Sequence, residues 1–140
     1  MEEQTEKLYD AAKKANDILL KVDTVFPLTL FPDTVTIDRE KLSIAKREFF
    51  KVASISSTPL DDIESVDANV GPFFGSLRIT SSFFVNNTRR VRYLMRDDAL
   101  RIQQILQGYK LTKEKEIDLS KIETKELVRM LIDLGKGRTD

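Results

Sequence analysis

Leu77, Ile79, Ser81, Phe83 and Val85, with Arg78, Thr80 and Ser82 between them, form the cleanest alternation in the chain. Successive side chains of a strand point to opposite faces, so a period of two builds a half-buried strand and does not suit a helix. Shorter runs of the same kind surround it. Val35 and Ile37 alternate with Thr34, Thr36 and Asp38, the polar turn Arg39-Glu40-Lys41 follows, and Leu42 and Ile44 resume the pattern. That order predicts a hairpin. Parity changes at Phe49-Phe50, where a bulge or strand end is expected. Further strands are expected over 52–57, stopping before Pro59, and around Ile63 and Val66 with one more change of parity. Asn86-Asn87-Thr88 signals a turn, because asparagine tolerates left-handed backbone angles. Val91, Tyr93 and Met95 then alternate with Arg90, Arg92 and Leu94. Strand following strand without intervening helices makes an antiparallel sheet or barrel, not a βαβ fold.

Both ends read as helical. Leu8, Ala11, Ala12, Ala15, Ile18, Leu19 and Val22 fall on one stripe, so residues 1–23 are expected to form an amphipathic helix that ends before Pro27 and Pro32. After the strands, Asp97 or Asp98 is placed to cap a helix that carries Ala99, Leu100, Ile102, Ile105 and Leu106 and ends near Gly108. Residues 110–118 read as a charged linker. Ser120 and Glu123 have capping-box spacing, Thr124 is a second cap candidate, and a short apolar helix follows, with Gly135 as its left-handed terminus. The expected organisation is a helix over 1–23, a strand-rich unit with its closing helix over 24–110, and a linker and helix over 111–140.

The 140 residues contain no cysteine, histidine or tryptophan, and the formal net charge is +0. Disulfides, zinc sites of the Cys/His type, thiol nucleophiles and histidine acid-base catalysis are therefore excluded. Zero net charge argues against bulk attraction to nucleic acid, and no aromatic residues interleave with basic ones on a common strand face. No segment approaches the roughly 18–20 apolar residues of a membrane-spanning helix. The acidic start, Met1-Glu2-Glu3-Gln4, is not followed by an apolar stretch, so no signal peptide is expected and a cytoplasmic location is the default.

Residues 33–109 resemble a bacterial pleckstrin-homology (PH)-like domain. The resemblance rests on the hairpin Thr34-Val35-Thr36-Ile37 into Leu42-Ser43-Ile44, the segment from Pro59-Leu60-Asp61-Asp62-Ile63 to Val66, Gly75-Ser76-Leu77-Arg78-Ile79, and the helix start Asp97-Asp98-Ala99-Leu100-Arg101-Ile102. It implies an α+β, mainly β fold: a PH-like barrel of about seven antiparallel strands capped by a C-terminal helix, with extra N- and C-terminal helices. It also implies assembly into oligomers, which bacterial members often form. In lipid-binding relatives the head group sits on basic residues of the first two strands, here Arg39, Lys41, Lys46 and Arg47. The basic-x-Arg pattern of those relatives is not met, since Lys46 and Arg47 are adjacent and face opposite sides of a strand.

Charge is uneven among the strands. Asp61, Asp62, Glu64 and Asp67 stand together without a base, and Arg78, Arg89, Arg90 and Arg92 stand together without an acid. Cross-strand pairing is the simplest use of such a division; an arginine strand that grips phosphate or carboxylate is the functional one. Phe73 and Phe74 lie in a loop between Gly71 and Gly75. Folding back onto the barrel rim is the simpler expectation, and a hydrophobic contact for a partner or membrane is the alternative. Asp61-Asp62 and Asp97-Asp98 are better explained by solvation and helix capping than by acid-base catalysis. The expectation is a non-enzymatic interaction or scaffolding module without cofactor or metal, binding a protein partner or itself. A peripheral module for anionic membranes is the alternative.

Overall fold

A computed structural model of the chain describes residues 4–5, 17–48, 51–82 and 88–139. Among the described residues from 17 onward, seven strands precede two helices: β1 (Ile18–Asp23), β2 (Thr34–Asp38), β3 (Lys41–Glu48), β4 (Lys51–Pro59), β5 (Ile63–Val70), β6 (Phe74–Ser81), β7 (Thr88–Met95), α1 (Arg96–Glu114) and α2 (Thr124–Thr139). A short 3-10 turn, Leu60–Asp62, joins β4 to β5. The strands form two antiparallel sheets, β1-β2-β3-β4 and β5-β6-β7. The fold is thus α+β and mainly β, but among the described residues the sheets stay separate and no closed barrel forms.

The expected hairpin is β2–β3, with Val35 opposite Ile44 and Ile37 opposite Leu42. Its turn is held by Asp38, whose Oδ1 accepts from the amides of Glu40 and Lys41 at 2.8 Å each. Leu77, Ile79 and Ser81 of β6 face the core as the alternation requires. The parity change near Ile63 is a register shift between Ile63 and Ser65. Phe49, Phe50, Phe83, Val85, Asn86 and Asn87 lie outside the described residues.

The helix expected over 1–23 does not reach its end. Residues 4–5 are helical, but Ile18–Asp23 is strand β1, an edge strand paired with β2. A register shift between Ile18 and Leu20 puts an extra residue into β1, so Leu19 and Val22, three apart, are both buried. A bulge therefore reproduces the spacing of a helical stripe. A similar shift corrects β7. Tyr93 has φ 64 and lies where β7 gains a residue on β6. Val91 and Leu94 are buried as a result, while Tyr93 is exposed.

α1 lies on β5, β6 and β7, burying Ala99, Ile102, Ile105 and Leu106. It neither starts on an aspartate cap nor stops at Gly108. Met95 holds the cap position without a side-chain bond, Asp97 and Asp98 lie in the first turn, and the helix runs through most of the expected linker. α2 starts at Thr124, so Ser120 is not at its N-cap and the expected capping box does not form; the Ser120 amide and hydroxyl bond to Asp118. α2 packs on α1 and reaches β1. Its Leu127 and Leu131 belong to the same buried cluster as the two sheets. Full burial is worth roughly 1.5–3 kcal/mol for each leucine, so this helix is part of the core, with Val128, Met130 and Ile132 partly buried against it.

Gly108 and Gly135 explain how close the helices come. A Cβ on Gly108 would collide with the Leu131 backbone, and one on Gly135 with the Gln104 backbone. Neither glycine has positive φ. They are contact points between antiparallel helices, not terminators.

Candidate functional site

The basic residues singled out in the sequence separate into those that hold the fold and those that face solvent. Arg39, at the β2–β3 turn, donates from Nη1 to the Leu119 carbonyl at 3.0 Å and from Nη2 to the Ile122 carbonyl at 2.5 Å. Its charge is spent on the segment entering α2, which removes it as an anion contact. Thr124, in the first turn of α2, adds a bond to Asp17 Oδ2 at 2.8 Å. Lys41 pairs with Asp38 at 3.6 Å. Arg47 and Arg92 are exposed.

Lys46, Arg89 and Arg90 do come together. With Ile44, Ser54, Ser56, Arg78 and Thr88 they line an open groove of about 770 Å³ between the edge strands β4 and β7. The register explains the lining. Ser54 stands opposite Lys46, Ser56 opposite Ile44 and Thr58 opposite Leu42, so this row of hydroxyls lies on the core side of β4. Ile55, between them, is turned outward and is 65% exposed. Across the groove, Arg78 stands directly opposite Arg90, a like-charged pair that costs stability unless something neutralises it. Asp67 is the next residue in that row, opposite Arg78. Among the described residues no carboxylate forms an ion pair with Lys46, Arg78 or Arg90. The expected pairing of the acidic and basic strand segments is therefore one of register, not of closed salt bridges.

Phe73 and Phe74 do not fold back onto the core. Phe73 is 71% exposed and Phe74 41%, with ring centroids 6.5 Å apart. Phe74 lies opposite Met95, and the Phe73 carbonyl accepts from the Arg96 amide at 3.0 Å. Tyr93 and Met95 are exposed beside them on β7. The β1–β2 loop joins the same strand, since the Val25 amide donates to the Tyr93 carbonyl at 2.7 Å, and this loop exposes Phe26, Leu28 and Leu30. Sequence reasoning found the phenylalanine pair but not Tyr93 or Met95. The signal was the β6–β7 register, which brings residues 74 and 95 together.

The acidic segment has its own local use. Asp61 accepts from Tyr109 at 2.8 Å and pairs with Lys113 at 2.6 Å, tying the 3-10 turn to α1. The hydrogen bond from Lys113, then that from Tyr109, lower the Asp61 pKa below its ordinary value. Burial, followed by the bond to Asp61, raises the Tyr109 hydroxyl well above the usual range. A carboxylate so engaged supports the turn. Asp97 and Asp98 remain in the first turn of α1. Among the described residues no group of three or more acidic, histidine or cysteine side chains is arranged to hold a metal ion. No helix among them is long and apolar enough to cross a membrane. No family model and no curated protein matches the chain.

Proposed function

We propose that the chain is a non-enzymatic interaction module of PH-like architecture that associates with a second copy of itself through the rim formed by Phe73, Phe74, Tyr93 and Met95. The observation that carries this reading is the exposure of those four large side chains on adjoining backbone, tied to a loop with three further exposed apolar residues. Apolar patches of this kind, outside a core that is already complete, mark surfaces that are covered in use. The formal net charge of +0 supports self-association, because two copies approach without overall repulsion. Four antiparallel strands in one sheet, three in the other and a helix on the second are consistent with the PH-like reading. The terminal helix buries Leu127 and Leu131 within the chain, which leaves less of its apolar face for such a contact.

Membrane docking through the first hairpin is less well supported. Of Arg39, Lys41, Lys46 and Arg47, the first is committed to backbone carbonyls and the second to Asp38. The test is absolute mass by light scattering for the full chain and for Phe73→Ser/Phe74→Ser. A defined oligomer that becomes monomeric in the variant supports the reading. A monomer in both cases, or an oligomer indifferent to the substitutions, overturns it.

A further inference from the structure

We propose that the outer face of the β5-β6-β7 sheet docks on the same face of a second copy, turned so that the acids of β5 in each copy meet the arginines of β7 in the other. This rests on the self-association read from the apolar rim and adds how the two copies are oriented. Val66, Leu77, Ile79, Val91 and Leu94 are buried in the core. Their alternates Asp67, Phe74, Arg78, Arg90 and Met95 take the opposite face, and all five are exposed. At the register shifts in β5 and β7, Glu64, Arg92 and Tyr93 are exposed as well. Charge is therefore divided by strand: β5 carries Glu64 and Asp67, the central β6 carries Arg78, and β7 carries Arg90 and Arg92. In one cross-strand row Arg78 has Asp67 on one side and the like-charged Arg90 on the other. The acids of β5 lie two strands, about 10 Å, from the arginines of β7. A half turn about an axis along β6 sets β5 of each copy over β7 of the other. The two contacts are then identical and the pair closes, as a twofold interface requires of one self-complementary patch. The same turn keeps Phe74 near the axis, so the apolar rims adjoin while Arg90 gains the counter-charge that its own chain does not pair with it. A foreign anion would meet the acids of β5 beside the arginines; a second copy supplies both signs in place. Complementary charge of this kind fixes orientation and speeds encounter, and the apolar side chains supply the larger part of the affinity.

The test is complementation in trans with the full chain. Arg90→Glu/Arg92→Glu gives a face with acids at both edges, and Glu64→Lys/Asp67→Lys one with bases at both. In sedimentation at low salt, each variant alone is expected to self-associate at least about tenfold more weakly than the parent, because like charges then oppose at each edge. An equimolar mixture of the two should recover association to within about threefold of the parent. High salt should narrow all of these differences. Circular dichroism checks folding, and loss of the opposed Arg78–Arg90 pair should keep the thermal midpoint of the first variant from falling. Where a reversal does not fold, Arg90→Gln/Arg92→Gln and Glu64→Gln/Asp67→Asn take its place, with weaker and less salt-dependent association expected of each. Recovery on mixing, absent from either variant alone, supports the proposal. Variants that associate like the parent, or a mixture no stronger than its components, overturn it; self-association through the rim then still stands if Phe73→Ser/Phe74→Ser dissociates the parent. A parent that is monomeric at every concentration overturns both and leaves the face to a different partner.

Discussion

The Arg39 guanidinium crosses from the β2–β3 turn to the carbonyls of Leu119 and Ile122, so one side chain closes a contact between segments some eighty positions apart. Truncation would leave those carbonyls without their charged donor. Arg39→Ala is expected to cost about 1–3 kcal/mol, seen as a lower urea midpoint at unchanged slope. Unaltered stability would show the contact to be dispensable. Asp61 is a milder case because it and Lys113 are both about half exposed. Its folded pKa lies below the ordinary 3.8, so its contribution is present above that pH and is lost as pH falls through the depressed value. Exposure keeps that contribution to a few tenths of a kcal/mol. In urea titrations, Asp61→Asn should lower stability near neutrality and lose less than the parent on acidification below about pH 4. Parallel acid limbs for the two proteins would refute this role.

Among the elements, the helix pair gives the sharpest sign test. Gly→Ala inside an exposed helix ordinarily stabilises by up to about 1 kcal/mol. Gly137, with nothing within 4 Å of an added Cβ, should follow that rule. Gly108→Ala and Gly135→Ala should do the opposite, because each new methyl meets the facing helix's backbone. A loss of about 1–3 kcal/mol each is expected from overpacking. Stabilisation at all three positions in thermal unfolding would mean that the helices are not this close. The same glycines show what was legible in the residues alone. β2, β3 and β6 were readable because one face of each is buried and parity is kept. β1 and the end of β7 were not, since a bulge in each shifts parity, and in β1 imitates a helical stripe. A glycine near an apolar run looks alike whether it ends a helix or admits another one. The groove was half legible: Arg78, Arg89 and Arg90 stood out as one acid-free group, but Lys46 and the serines of β4 join them only through the fold.

For the molecule as a whole, β7 is the common member of both candidate surfaces. Its first residues, Thr88, Arg89 and Arg90, line the charged groove; past the bulge, Tyr93 and Met95 join the apolar rim. The core beneath is continuous, running through both sheets and both helices, so the rim is not required to complete it. Removing rim side chains should therefore change association while leaving the fold intact. The decisive measurement is absolute mass across a range of concentrations for the parent chain and for Phe73→Ser/Phe74→Ser, with circular dichroism confirming equal folding. The expected result is a defined oligomer for the parent and a monomer for the variant. A parent chain that stays monomeric at every concentration, or an oligomer that survives loss of both phenylalanines, would contradict self-association through this rim.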